Sequence, residues 1–207
     1  MVGSATAAAV AKLDCMQSRK VILLEASPRI QYEQPPLYSN RVAALAPSSV
    51  KLLSDIGAWD TMQENRVSPV LQMRVWDSCS KSYIIFSNEV DCSSPLSYIV
   101  ENDLTVKALS DVLDDCKNLE VKYEAKVQAY KLPSKDDENV SKRNAAIYLK
   151  SGETLETSLL VGADGFGSLV RHTMGSDFVG WDYKQMAVVA TIEVQRNGRD
   201  FKAAWQV

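Results

Sequence analysis

The stretch from Leu159 to Arg171 reads LLVGADGFGSLVR and is the most informative part of this sequence. Three apolar residues run into a turn that carries an aspartate and several glycines, and Ser168 then begins a short helical pattern. Glycines in such a turn allow close approach of the backbone, and a helix start favours an anion. The pattern predicts a buried strand at Leu159 to Val161, then a turn and a helix. Asp164 is expected either to cap that helix or to contact a ligand.

A second pattern lies at the start of the chain. Gly3 opens an alanine-rich helical pattern that runs to about Gln17, and the apolar run from Val21 to Leu24 is typical of a strand buried in a parallel sheet. Glu25 follows that strand, 22 positions after Gly3. In dinucleotide folds a glycine-rich turn admits the pyrophosphate, and an acidic residue about 20 positions later binds the ribose. The spacing between Gly3 and Glu25 fits Gly3 as the third glycine of G-x-G-x-x-G. It fits equally well an ordinary helix start at Gly3 and a glutamate that merely ends a strand at Glu25.

Helical and strand patterns alternate along the rest of the chain, which predicts an α/β fold with an inserted β-rich region near residues 70–100. One helix is predicted between an N-cap in Pro47–Ser49 and a stop at Gly57, and another begins with Asn102 or Asp103 as its cap. The buried positions predicted for this second helix are Leu104, Ala108, Leu109, Val112 and Leu113. The predicted strands are Val70–Asp77, Tyr83–Phe86, Val121–Tyr123, Val127–Leu132, Ala146–Lys150, Thr154–Leu160 and Met186–Val194, with a solvated hairpin loop at Pro133–Asn144 and a tight turn at Ser151–Glu153.

Composition excludes several classes of protein. The 207 residues are 46% apolar and 24% charged, ordinary globular proportions, and the net charge of −3 gives no reason to expect a nucleic-acid partner. No apolar run approaches the roughly 18–20 residues that cross a bilayer, and the first ten residues carry no targeting signal. The one histidine, His172, and four scattered cysteines predict neither a metal site nor a disulfide framework. We expect Cys15, Cys79, Cys92 and Cys116 to be reduced, half-buried apolar residues.

The LLVGADGFGSLVR stretch resembles the G-A-D-G-x-x-S-x-V-R motif of the class A FAD-dependent aromatic monooxygenases. Further segments are most similar to the eukaryotic ring hydroxylases of ubiquinone biosynthesis, and the resemblance extends over essentially the whole chain. These segments are SNRV from Ser39, the S-x-x-L-L-x-x-x-G-A-W-D pattern from Ser49, VWD from Val75, YIVEN from Tyr98 and VVAT from Val188.

The resemblance implies a Rossmann-like FAD-binding domain with an inserted β-rich substrate region. Residues 1–70 and 100–180 are expected to form parts of the FAD-binding domain, and residues 71–99 and 181–207 parts of the substrate-domain sheet. Arg41 is expected to reach the flavin side of the site, although a surface ion pair would also explain it. Asn102 is expected at the start of a helix that contacts the FAD, a role compatible with an N-cap. Together with the dinucleotide pattern, the implied cofactor-binding residues are Gly3, Glu25, Arg41, Asn102, Asp164 and Gly165.

The implied activity is hydroxylation of a polyprenylated phenol, with FAD reduced by NAD(P)H or an electron-transfer partner. In such enzymes the cofactor carries out the reaction with oxygen. No catalytic acid, base or metal ligand is identified among these residues. The implied location is the mitochondrial matrix at the inner membrane, with peripheral membrane association and other ubiquinone-biosynthesis proteins as partners.

Relative to that family, the sequence begins at the last glycine of G-x-G-x-x-G, so the first strand of the Rossmann-like domain is missing, and it ends inside the substrate sheet. We therefore expect a stretch shortened at both ends, with unpaired strand edges, that folds poorly and is inactive alone. Three alternatives stay open. They are a flavin hydroxylase of a small soluble phenol, a nicotinamide-dependent dehydrogenase, and an inactive short form that acts as a binding or scaffold subunit.

Overall fold

A computed structural model describes residues 1–77, 79–88, 94–133, 144–176 and 178–192, and the backbone of 203–206. The chain divides into two compact units, one formed by Met1–Ile30 with Leu113–Met186, the other by Gln31–Val112 with Ala187–Val207. The helices are α1 Val2–Ala11, α2 Pro47–Asp55, α3 Trp59–Gln63, α4 Asn102–Asp114 and α5 Leu169–Thr173, with a 3-10 helix at Asp14–Met16. The strands are β1 Val21–Leu24, β2 Val42–Leu45, β3 Val67–Val70, β4 Gln72–Trp76, β5 Tyr83–Ser87, β6 Ser97–Glu101, β7 Leu119–Lys122, β8 Val127–Lys131, β9 Ala145–Leu149, β10 Thr154–Thr157 and β11 Ala203–Gln206.

In the first unit, α1 packs against a parallel pair of strands, β1 and β7. Ala7, Ala8 and Ala11 are buried, because side chains this small let a helix approach a sheet closely. The side-chain amide of Asn118 donates hydrogen bonds to the carbonyl oxygens of Ala11 at 3.1 Å and Met16 at 2.9 Å, which secures the end of α1. The predicted helix and following strand are confirmed, although the α-helix ends at Ala11 and a 3-10 turn follows.

The first unit also contains an antiparallel sheet in the order β10-β9-β8. Its core consists of Ala125, Ile147 and Leu149, and Leu160 packs against them. The tight turn between β9 and β10 is confirmed by Gly152, whose φ is +91°. Of the predicted hairpin loop, residues 134–143 lie outside the described residues, while the strands on either side, β8 and β9, pair in antiparallel fashion.

In the second unit, β2, β6 and β3 form an antiparallel sheet in the order β2-β6-β3. A mixed sheet has the order β11-β4-β5, with β11 parallel and β5 antiparallel to β4. The predicted helix stop at Gly57 is confirmed by its φ of +84°. The predicted N-cap is wrong, because α2 starts with Pro47 directly after Ala46 and no side chain caps it. Proline suits a first helical position, where its missing N–H is not needed. All five positions predicted to be buried in α4 are buried: Leu104, Ala108, Leu109, Val112 and Leu113.

Two predicted strands are wrong within the described residues. The segment 159–161 forms no strand, and Leu159 and Val161 are exposed, while Leu160 alone packs inward. No described strand pairs with this segment, so its backbone has no ladder to join. Residues 186–192 of the predicted strand at Met186–Val194 likewise form no regular structure, and residues 193 and 194 lie outside the described residues.

The cysteines differ from expectation in burial. Cys116 is buried, but Cys15 and Cys79 are exposed, and none of these three forms a disulfide. Cys92 lies outside the described residues. Burial of Cys116 follows from its place just after α4, whereas Cys15 lies in the 3-10 turn and Cys79 between β4 and β5.

Candidate functional site

The two glycine motifs of the sequence meet in the first unit. Gly3 lies in the first turn of α1, and a Cβ atom placed on it would lie 3.2 Å from the Cβ of Ala163 and 3.7 Å from Cδ1 of Leu23. The first distance is shorter than ordinary van der Waals packing, so the lack of a side chain at residue 3 eases the approach of α1 to the turn before Asp164. This is the role that the third glycine of a dinucleotide fingerprint has in helix packing.

The carboxylate of Asp164 accepts three hydrogen bonds from the segment that follows it. The hydroxyl of Ser168 donates to Oδ1 at 2.6 Å, and the backbone N–H groups of Leu169 and Val170 donate to Oδ2 at 2.7 and 3.2 Å. Partial burial opposes ionisation of Asp164, but these hydrogen bonds outweigh it, and its pKa lies below the ordinary aspartate value. The hydroxyl of Ser168, the N-cap residue of α5, accepts the N–H of Arg171 at 3.0 Å, so Asp164 is a second capping group and not the N-cap itself. Its lowered pKa keeps the carboxyl negatively charged at neutral pH.

The backbone beside Asp164 is open to a ligand. Gly165 has φ of +81°, a conformation that side chains disfavour, and a Cβ placed on it would have no atom of the described residues within 4 Å. Gly162 is the opposite case, because a Cβ there would lie 2.9 Å from the Cβ of Val170. Thus one glycine lets α5 pack against the turn, and the other leaves accessible backbone on the turn's outer side.

Glu25 stands at the carboxyl end of β1, exposed to solvent. Its Oε1 accepts a hydrogen bond from the backbone N–H of Ser27 at 2.8 Å, which orients the carboxylate. Ligands of open α/β sheets bind outside the carboxyl ends of their strands. The position of Glu25 therefore suits the ribose contact that its spacing from Gly3 predicts.

Arg41 and Asn102 lie together in the second unit. The start of β2, the end of β6 and the start of β3 fall at one end of the antiparallel sheet, and the backbone N–H of Asn102 donates to the carbonyl of Arg41 at 2.9 Å. Oδ1 of Asn102 is buried and has no hydrogen-bond partner among the described residues, so the side-chain N-cap interpretation is wrong. The exposed guanidinium of Arg41 has no ion pair within the described ranges, so the surface ion-pair interpretation is not supported.

Sequence reasoning missed two charged residues at this end of the sheet. Glu101 is only 4% exposed, and its carboxylate lies 3.5 Å from the guanidinium of Arg66. That guanidinium also stacks over the Tyr38 ring, 4.5 Å from its centroid. The sequence did offer a signal, because Glu101 ends an otherwise apolar strand. A carboxylate buried there requires a charged or hydrogen-bonding partner.

These features fit FAD, the cofactor that the resemblance implies. In the first unit, the closely packed Gly3, the accessible backbone at Gly165 and the strand-end Glu25 are the kinds of groups that hold a dinucleotide. In the second unit, Oδ1 of Asn102, without a partner among the described residues, is a polar group that a ligand could satisfy. Among the described residues, no cluster of three histidine, cysteine, aspartate or glutamate side chains could hold a metal ion. Nor does this part of the chain contain a helix with the length and hydropathy needed to cross a bilayer.

Comparison with known proteins identifies the family. A family model described as an FAD binding domain matches residues 20–205. The mitochondrial ubiquinone biosynthesis monooxygenases COQ6 of Xenopus tropicalis and Homo sapiens are each 38% identical to the chain over its full length, and the chain spans 44% of each. The solved p-nitrophenol 4-monooxygenase PnpA of Pseudomonas putida DLL-E4 has the same fold, with a TM-score of 0.63 and 19% identity over 87% of this chain and 42% of PnpA. The match to an FAD family decides against the nicotinamide-dependent dehydrogenase, and the chain belongs to the FAD binding domain family.

Proposed function

We propose that this chain is part of an FAD-dependent monooxygenase that hydroxylates the aromatic ring of a polyprenylated ubiquinone precursor. The observation that carries the proposal is the close packing of Gly3 against Ala163, which brings the start of α1 beside the turn that leads to Asp164. The 38% identity to ubiquinone biosynthesis monooxygenases over the whole chain supports the substrate class.

Five of the six candidate residues have a distinct role toward the cofactor, and Asp164 holds the turn beside Gly165. The start of α1 at Gly3 offers unpaired backbone N–H groups to the diphosphate, and Glu25 accepts hydrogen bonds from the ribose hydroxyls. Gly165 admits the cofactor against its backbone. Arg41 supplies positive charge, and Oδ1 of Asn102 accepts a hydrogen bond from a donor on the cofactor.

When bound, FAD supplies the reductive activation of O₂ and the transfer of one oxygen atom to the phenol ring. The chain binds and orients the cofactor, and no proton-transfer residue is assigned. NAD(P)H or an electron-transfer partner serves as the reductant.

The finer features of the proposal follow the same relatives. They are a Rossmann-like FAD-binding domain in residues 1–70 and 100–180, substrate-sheet segments in 71–99 and 181–207, and action at the matrix side of the mitochondrial inner membrane together with other ubiquinone-biosynthesis proteins. The name of each relative includes the word mitochondrial, which supports the compartment.

The test is the flavin absorbance spectrum of the purified chain, taken beside a chimera that adds the flanking segments of the Xenopus tropicalis relative. The cofactor site is supported if either protein binds FAD and the Gly165→Val substitution weakens that binding. The matched control is Gly175→Val, a second glycine with positive φ and open space around it. If neither protein binds FAD, the proposal is wrong. Turnover of a short-tailed prenylated phenol by the chimera, compared with a simple phenol, tests the substrate class.

A further inference from the structure

The second unit contains a largely buried ion pair, Arg66 with Glu101, that takes no part in the proposed cofactor contacts. The side chains of Arg66 and Glu101 are 14% and 5% exposed. Taking two charges out of water costs several kcal/mol of solvation free energy, so a buried ion pair is weak evidence for a role in stability alone. A role in fixing one geometry is the best-attested use of such pairs.

Arg66 is connected to one loop through several different contacts. Its Nη1 donates to the carbonyl of Leu37 at 3.1 Å, and its Nη2 donates to the carbonyls of Pro35 at 2.5 Å and Pro36 at 3.3 Å. The face of its guanidinium covers the Tyr38 ring. A guanidinium offers five donors in a rigid planar fork that also stacks on aromatic faces, whereas the ammonium of lysine is a compact point charge with three rotatable donors.

Glu101 extends these contacts to the candidate cofactor residues. Its Oε1 accepts a hydrogen bond from the backbone N–H of Ser39 at 2.6 Å, and the hydroxyl of Ser39 accepts one from the N–H of Arg41 at 3.0 Å. The carbonyl of Arg41 accepts the N–H of Asn102 at 2.9 Å. A continuous series of contacts therefore runs from Arg66 through Glu101 and Ser39 to the two residues proposed to touch FAD.

We propose that Arg66 is a positioning residue for FAD binding, with Glu101 as its partner, a role that rests on the proposed function. The pair holds the segment 35–41 in one conformation, so that the exposed guanidinium of Arg41 is presented to the cofactor without the entropy loss of ordering a free loop. Arg66 acts through Arg41 and makes no contact with FAD itself.

The test is a double-mutant cycle on FAD affinity with Arg66→Met, Arg41→Met and the double variant, in whichever of the chain and the chimera binds FAD. Loss of a charge-assisted contact corresponds to about a 10- to 100-fold weaker affinity. We expect each single variant to weaken FAD binding by at least about 10-fold, and the double variant to be no weaker than the weaker of the two singles. Such non-additivity is the signature of two residues acting as a unit.

Independent, multiplicative effects in the double variant would overturn the proposal, as would FAD binding by Arg66→Met equal to that of the wild type. The matched control is Lys51→Met, which removes an exposed pair with Asp55 in the same unit and is expected to leave FAD affinity unchanged. If Arg66→Met does not fold, the same cycle is run with Arg66→Lys, which keeps the charge beside Glu101. Complete absence of FAD binding in the wild type contradicts the proposed function instead, so the two failures are distinguishable.

Discussion

Replacement of Asp164 by alanine removes three hydrogen bonds at once, from the Ser168 hydroxyl and the N–H groups of Leu169 and Val170. Loss of a helix-capping side chain costs about 0.5–2 kcal/mol. Asp164 is exposed, which limits the electrostatic part, so we expect the free energy of unfolding to fall by about 1–2 kcal/mol. For a chain of this size that lowers Tm by roughly 2–8 °C.

The pH dependence follows from the depressed pKa of Asp164. A carboxyl whose pKa is lower in the folded state stabilises the fold above its ordinary pKa, and this contribution disappears as the pH falls through the lowered value. The difference in Tm between wild type and Asp164→Ala should therefore be full at neutral pH and should shrink in acid.

The assay is thermal unfolding followed by circular dichroism at a series of pH values. Asp55→Ala is the control, because Asp55 forms an exposed pair with Lys51 that is worth about 0.3–0.5 kcal/mol. An unchanged Tm in Asp164→Ala at neutral pH would refute the capping argument. If the difference in Tm between wild type and Asp164→Ala stays constant in acid, the ionised carboxylate is not the source of the stabilisation.

Two further predictions separate packing from cofactor binding. Gly3→Val should lower the free energy of unfolding by about 1–3 kcal/mol, because the new side chain crowds Ala163, and it should also reduce flavin absorbance. The control is Gly167→Ala, where an added Cβ meets none of the described residues, and it should change neither quantity. Asn102→Ala should weaken FAD binding about 10-fold with little change in Tm, because its buried Oδ1 has no hydrogen-bond partner to lose in the part of the chain that the structure describes. The control is Asn118→Ala, which removes two hydrogen bonds to backbone carbonyls and should lower Tm while leaving FAD affinity unchanged. A large fall in Tm for Asn102→Ala would contradict its assignment as a cofactor-binding residue.

Local patterns predicted much of the secondary structure, because they depend on residues close together in sequence. The 3.6-residue period of α4 placed all five of its predicted buried positions correctly, since a helix repeats its buried face regardless of its neighbours. Gly57 and Gly152 marked turns through their tolerance of positive φ. The strand predicted at Leu159–Val161 failed for the opposite reason, because a strand exists only if another backbone pairs with it.

The candidate site shows the same division. The sequence by itself determined the family motif around Asp164, the spacing of Gly3 and Glu25, and the positions of Arg41 and Asn102 beside an apolar strand. Only the tertiary structure decided that Gly3 meets Ala163, that Glu101 is buried against Arg66, and that Oδ1 of Asn102 has no partner among the described residues. These facts depend on which distant segments the fold brings within a few ångströms, and contact at that range is set by packing and strand register, which no single local pattern encodes.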